Sequence, residues 1–220
     1  MHRPDPLILD IVRQYRKDKM RAKKKLLCYS KDDFVKLMVT NGWRDNTLPD
    51  DVAIISIGTP EDYYGNEGNH WFKEHHDNVL NIDFFDVDFF EFFERLAHKE
   101  DGKNLSIYST YERTYIKEAG EDNTSYIYEC FNHEQAEEVV KFILANVGKD
   151  FYIHCYAGQS RSQAIALFIL THFNKYYDYT SLNKKNLPGV PNQWVLDCLN
   201  NVYTENKKEF MEKDEQHETR

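Results

Sequence analysis

The sequence predicts an α/β fold with a largely parallel central sheet of about four to five strands flanked by helices. Three observations lead there. Short β-branched or apolar runs, at 26–29, 52–57, 79–85 and 151–154, alternate with stretches of helical periodicity. Turn and cap residues stand at the boundaries between them. The chain has 220 residues, 41% of them hydrophobic, with 14 Phe and 15 Tyr, which is enough for one well-buried domain with extra segments attached.

The chain opens with a helical pattern over 4–25. Leu7, Ile8, Ile11, Val12 and Tyr15 form an apolar stripe at helical spacing, while Arg13, Arg16, Lys17, Lys19, Arg21, Lys23, Lys24 and Lys25 make a basic face. The basic run reads first as the solvated side of a docked helix and second as an arm for an anionic partner. Residues 26–29 read as a strand. Ser30 then caps a helix over 31–41, with Asp32 and Asp33 in its first turn and Asn41-Gly42 at its end. The run VAIISI at 52–57, closed by Gly58-Thr59-Pro60, reads as a buried strand. Residues 60–77 read as an irregular loop, 79–85 (VLNIDFF) as a third strand, and 89–98 as a helix.

Residues 99–131 carry two Tyr/Ile-rich runs separated by EAGEDN, a pattern that predicts a β-hairpin. Asn132 caps a helix over 133–146, and Gly148 ends it. Residues 151–154 form the fourth strand, followed by an apolar helix over 161–174, a turn at 188–191 and an amphipathic helix over 193–203. The tail 204–220 is charged and reads as frayed. The organisation is therefore an N-terminal helical arm (1–25), one domain (26–203) with an excursion at 99–131, and a C-terminal tail.

Composition narrows the function. A net charge of -9 disfavours wholesale binding to nucleic acid or an anionic membrane. No apolar run approaches the ~18 residues of a membrane span, and no apolar core of a signal peptide follows the polar start. The four cysteines, Cys28, Cys130, Cys155 and Cys198, lack C-x-x-C spacing, so neither a disulfide framework nor a zinc ribbon is indicated. A reducing, cytoplasmic compartment is the expectation.

The chemistry concentrates after the fourth strand, in FYIHCYAGQSRSQAIALFIL. In a parallel sheet, ligands bind at the carboxyl ends of strands. A short turn from strand to helix there can aim backbone N–H groups at an anion. Gly158 permits positive φ and a close approach of the backbone to a ligand. The following helix directs its positive end to the same spot. Arg161 offers a planar fork for two phosphate oxygens. A cysteine in so positive a setting titrates below the ordinary ~8.5 and becomes a nucleophilic thiolate.

The stretch HCYAGQSRS resembles the His-Cys-x-x-Gly-x-Ser-Arg-Ser signature of protein tyrosine and dual-specificity phosphatases, in the form found in compact bacterial and viral members. The resemblance implies hydrolysis of phosphate monoesters, foremost protein phosphotyrosine, through a phosphocysteine intermediate and without a metal or other cofactor. It implies Cys155 as nucleophile, Arg161 as phosphate clamp, His154 tuning the thiolate, and Ser162 assisting its departure. The loop of Tyr156, Ala157, Gly158, Gln159 and Ser160 would bind the phosphate oxygens. The same resemblance places an aspartic general acid just past an upstream strand. In VLNIDFFDVD that position is Asp86, with Asp88 as reserve and Asp83 inside the strand. Asp86 and Cys155 stand about twice as far apart as in small dual-specificity enzymes, so the excursion at 99–131 reads as an insertion, either a substrate flap or a surface decoration. PNQWVLDCL resembles the closing helix of compact members.

Three other readings stand beside this one. His70, Glu74, His75, His76 and Asp77 form a cluster rich in metal-ligand types, but their spacing fits no familiar site. The signature family also includes RNA 5′-phosphatases and phosphoinositide phosphatases. Neutral Tyr156, Ala157, Gln159 and Ser160 tilt toward simple monoesters, and thus toward a phosphorylated protein as partner, with no membrane and with nucleic acid as the lesser alternative. A phosphate-binding module without turnover is the non-enzymatic reading.

Overall fold

The apolar runs at 26–30, 52–58, 79–83 and 150–155 pair as a parallel sheet, and the Tyr/Ile-rich runs between 105 and 129 pair as a separate antiparallel one. A computed structural model of the chain describes residues 23–60, 70–87, 105–110, 113–119, 125–179 and 189–206. The predicted helices over 4–22 and 89–98, the loop 61–69, Asp88 and the tail beyond 206 lie outside the described residues. The strands are β1 (Leu26–Ser30), β2 (Val52–Gly58), β3 (Val79–Asp83), β4 (Leu105–Thr110), β5 (Arg113–Ala119), β6 (Ser125–Glu129) and β7 (Asp150–Cys155). The described helices are α1 (Lys31–Asn41), α2 (His133–Asn146), α3 (Arg161–His172) and α4 (Gln193–Glu205).

The main sheet has the order β1-β7-β2-β3 with every pair parallel. Alternation along the strands sorts its two faces. Val52, Ile54 and Tyr152 join Phe34 and Met38 of α1 on one face. Ala53, Ile55, Ile57, Phe151, Ile153 and Cys155 face a larger core built with α2, α3 and α4. The result is three layers, with β7 central and covered on both sides. Burial of this kind explains why the strands read as near-continuous apolar runs.

The helix boundaries follow from local chemistry. Ser30 Oγ accepts from Asp33 N–H at 3.2 Å, and Gly42 closes α1 at φ 65. Each such cap contributes about 1 kcal/mol. Asn132 and Gln135 form a reciprocal capping box at the start of α2. Asn192 caps α4 through Val195 N–H. Among the described residues no helix is long and apolar enough to cross a membrane.

Five expectations need correction. Residues 23–25 are extended rather than helical: Phe151 N–H donates to Lys25 O at 2.8 Å, and Lys24 N–H to Tyr176 O at 3.0 Å. Backbone pairing along β7 and the chain beyond α3 outweighs the helical periodicity of the preceding segment. The third strand ends at Asp83, opposite the last residue of β2, so Phe84 and Phe85 lie past it. The hairpin at 99–131 is instead three antiparallel strands, β4-β5-β6, because SIYSTYERTYIK divides with Thr110 opposite Arg113. Its dividing residues, Tyr-Glu, carry none of the Gly, Asn or Asp that mark a tight turn. Finally, α3 stops at His172, where the chain turns to bury Phe173 and Tyr177. The α4 helix, in turn, runs to Glu205, into the segment read as tail.

Candidate functional site

The carboxyl end of β7 delivers Cys155 into the sheet's central notch. The residue is 1% exposed, and its Sγ lies 3.3 Å from Ser162 Oγ in the first turn of α3. Residues 156–160 then curl back toward β1, and Tyr156 O accepts from Lys31 N–H at 3.1 Å. The backbone N–H groups of Ala157, Gly158, Gln159 and Ser160 bond to no other backbone group among the described residues. Ser160 stands at the N-cap of α3 yet gives no side-chain cap to that helix. A row of open donors at a helix N-terminus is an anion-binding arrangement. Gln163, which the motif leaves unspecified, braces the loop through Nε2 donating to Gly158 O at 3.0 Å.

Gly158 has φ 72, and a Cβ built there would stand 2.6 Å from Ser30 N. Two constraints therefore coincide, a left-handed backbone and contact with the end of β1. Gly158→Ala is expected to strain the loop by about 1–3 kcal/mol or displace it. Calorimetric titration should then show weakened phosphate binding together with a lowered Tm. Unchanged binding would mean that the loop conformation does not matter to the site.

Arg161 is 3% exposed, although it begins a helix beside a loop. Its Nη1 donates to Phe84 O at 2.6 Å and Gly58 O at 2.8 Å, the carbonyls just beyond β3 and at the end of β2. One arm of the guanidinium is thus anchored to two strand ends. Among the described residues its buried Nε has no hydrogen-bond partner, and Asp86 Oδ2 lies 3.6 Å from it. Buried donors are rarely left unpaired, so this one marks a place where an external acceptor would be stabilised.

Asp86 does arrive at the loop. Its Oδ1 accepts from Ser160 Oγ at 2.6 Å and from Asn192 Nδ2 at 3.0 Å. Asn192 also donates to Val87 O at 3.0 Å while capping α4. It is therefore the clasp joining the acidic segment, the loop and the closing helix. Sequence reasoning passed over it. Its available signal was an Asn directly before an amphipathic helix, in Pro191-Asn192-Gln193.

His154 points to the other face of the sheet and stacks on Phe34, with ring centroids 4.1 Å apart. Its pKa is pushed down to about 3, first by burial, then by electrostatic repulsion from His70, Lys31 and Arg161. It is therefore a neutral ring at ordinary pH. Its Nε2 lies 2.7 Å from Ser56 Oγ. Burial pushes the thiols of Cys130 and Cys198 up to about 12 and that of Cys28 higher still.

The histidine-rich run does not converge on one point. His76 Nε2 meets Asp45 Oδ1 at 2.9 Å, whereas His70 turns inward to Ser56 and Asp83. Glu74, His75 and Asp77 are exposed. The structure therefore brings together Cys155, Tyr156 to Ser160, Arg161, Ser162 and Asp86, with His154 behind the strand. Comparison with protein-family models, with curated proteins and with solved structures finds no match to this chain.

Proposed function

We propose that the chain is a cysteine-dependent phosphatase that hydrolyses phosphate monoesters, with phosphotyrosine in proteins as the preferred class. The observation that carries this reading is the half-anchored fork of Arg161. Nη1 is held by two strand-end carbonyls while the buried Nε finds no hydrogen bond among the described residues, beside a loop of open N–H donors and a buried cysteine at the carboxyl end of the central strand. A tetrahedral dianion satisfies all of these donors at once.

In the reaction that follows, the Cys155 thiolate forms an S–P bond as the ester P–O bond breaks. The leaving oxygen takes a proton from Asp86. Water then attacks phosphorus, Asp86 takes one of its protons, and the S–P bond breaks to release phosphate and return the thiolate, with the Ser162 hydroxyl donating to the departing sulfur. Arg161 and the loop hold the equatorial oxygens throughout. Arrival of phosphate would draw Arg161 Nε away from Asp86 and bring the ester oxygen close to that carboxyl group.

The mouth of the site supports an aromatic leaving group. Tyr156 is 77% exposed and Val190 is 78% exposed, and both adjoin the loop, Tyr156 as part of it and Val190 beside Gly189, which abuts Gln159. Flanking apolar surfaces suit an aryl ring better than a sugar or an inositol. The three-stranded unit β4–β6, which lies in sequence between Asp86 and Cys155, reads as an insertion. Its edge with the site is the contact of Phe85 with Tyr128, ring centroids 5.3 Å apart.

The test is hydrolysis of nitrophenyl phosphate, a phosphotyrosine peptide, a phosphoserine peptide and 5′-triphosphate RNA side by side. Phosphotyrosine should be cleaved best, vanadate should block the reaction, and EDTA should leave it intact. Binding of phosphotyrosine without any turnover would identify a recognition module instead. Loss with EDTA that zinc restores would overturn the thiolate mechanism.

A further inference from the structure

Four side chains form an unbroken line behind the nucleophile. Asp83 Oδ1 lies 3.0 Å from His70 Nε2, His70 Nδ1 lies 2.7 Å from Ser56 Oγ, and Ser56 Oγ lies 2.7 Å from His154 Nε2. The inner members are shut away from water: Ser56 is 0% and His154 4% exposed. The outer end is Asp83, whose carboxylate lies over Gly58, where any Cβ would overlap it. Ser56 and His154 are direct neighbours in the β2–β7 register. The line joins three strands and the segment that carries His70.

A hydroxyl has one proton to donate, and Ser56 stands between two imidazoles. Two proton arrangements result. With His70 neutral and donating to Asp83, its bare Nδ1 accepts the Ser56 proton. Ser56 Oγ then accepts from His154 Nε2–H, and His154 Nδ1 is bare. With His70 charged, its Nδ1–H donates to Ser56, which turns its own proton to His154 Nε2, and His154 carries its proton on Nδ1. The second arrangement holds one proton more, and that proton resides on His70 beside Asp83. His154 remains a neutral ring in both and changes only its tautomer.

We propose that Asp83, His70 and Ser56 are positioning residues that select the tautomer of His154 and, through it, favour the thiolate of Cys155. This inference deepens the phosphatase reading, on which it rests for its functional meaning. Among the described residues His154 Nδ1 has no geometric hydrogen-bond partner, and the Cys155 backbone beside the ring favours a proton on it. An N–H at that nitrogen turns a positive dipole end toward the peptide that carries the nucleophile. A bare lone pair turns a negative one. Among the described residues the groups whose charges act on His154 are His70 across Ser56, Lys31 at the start of α1 and Arg161 at the start of α3, while the Cys155 backbone adjoins its ring and the Cys155 thiol lies on the opposite face of β7. His70 is the imidazole among them, and the two proton arrangements differ by its charge. Its countercharge is Asp83. The thiolate and a charged His70 therefore stabilise each other.

The test follows the thiolate by its ultraviolet absorbance against pH. Each protein is measured against its matching Cys155→Ser partner, so neither substrate nor turnover is needed. Asp83→Asn removes the countercharge of His70, keeps the side-chain shape and alters a partly exposed group. At a pH below the transition it should reduce the thiolate fraction by about three- to tenfold, the consequence of losing one nearby opposite charge. In a Ser56→Ala background the line is cut, and adding Asp83→Asn should change the thiolate fraction by less than about twofold, within the usual error of additivity. A wild-type transition that ignores Asp83→Asn would overturn the proposal. So would an equal effect of Asp83→Asn in both backgrounds, which would mean that Asp83 acts through space. If Ser56→Ala does not fold, the Asp83→Asn result still decides. A shifted thiolate transition in a protein without hydrolytic activity would retain the relay and sink the phosphatase reading. Normal hydrolysis with an unshifted transition would do the reverse.

Discussion

Replacement of Cys155 by serine is expected to abolish turnover while leaving phosphate binding in place. The chemistry demands an anionic nucleophile at phosphorus. A thiol can supply one near neutral pH, and a serine hydroxyl cannot without a strong adjacent base. Among the described residues the only side chain that hydrogen-bonds Cys155 Sγ is Ser162, itself a hydroxyl. His154 cannot act as that base, because it is buried on the opposite face of β7 and engaged with Ser56. A residue that forms the covalent bond supplies a large share of the rate, so kcat for nitrophenyl phosphate should fall by about 10⁴-fold or more. Binding depends on other groups: the open N–H donors of the loop, the N-terminus of α3 and Arg161. The dissociation constant of phosphate, by calorimetry, should change by less than about tenfold, or 1.4 kcal/mol. Full activity in the serine variant would remove Cys155 from the mechanism. Loss of both activity and phosphate binding, with the fold intact, would mean that the thiolate itself is the main binding partner of the anion.

The parts of this site that could be read from the sequence are those set by short-range rules. Strand β7, the turn at Gly158 and helix α3 are contiguous, so one stretch of chain contains the donors, the nucleophile and the clamp. Caps at Ser30, Asn132 and Gly42 are equally local, and all three hold in the structure. The anchoring of Arg161 could not be read in this way. Its partners, Gly58 O and Phe84 O, are backbone atoms on two other strands, and only the sheet order places them beside it.

The same is true of His70. In sequence it sits with Glu74, His75, His76 and Asp77 and looks like part of a metal-binding cluster. In space its two nitrogens serve Ser56 and Asp83, residues that carry no motif. Asn192 was hidden for a related reason: a helix cap is a common role, and nothing in Pro191-Asn192-Gln193 indicates that its amide also reaches Asp86. The division of SIYSTYERTYIK into β4 and β5 had no turn residue to announce it. Local propensity therefore located the elements, while tertiary pairing decided what the polar groups between them do.

Asp86→Asn is expected to separate substrates by their leaving groups. Nitrophenolate departs with little help from a proton. The phenolate of tyrosine, whose conjugate acid has a pKa near ~10, needs more. If Asp86 donates the proton, the amide should slow phosphotyrosine hydrolysis by about 10²–10⁴-fold, the usual contribution of one acid catalyst, and slow nitrophenyl phosphate hydrolysis far less. The alkaline limb of the pH–rate profile should flatten too, since that limb reports deprotonation of the acid. The structure supplies a competing role that makes this comparison decisive. Asp86 Oδ2 stands 3.6 Å from Arg161 Nε, so the carboxylate could serve only to aim the guanidinium. A lost aiming residue would penalise both substrates alike, because both present the same phosphate to Arg161. Asn keeps an oxygen that can accept from Ser160 Oγ and Asn192 Nδ2, so the position of the segment should survive, and an unchanged Tm would verify it. Asp88→Asn should show neither the leaving-group dependence nor the flattened limb. If the dependence follows Asp88 instead, the acid sits two residues further along. If it follows neither, the donor belongs to another segment, and Glu112, Glu118, Glu121 and Asp122, which flank or lie in β4–β6, become the residues to replace next.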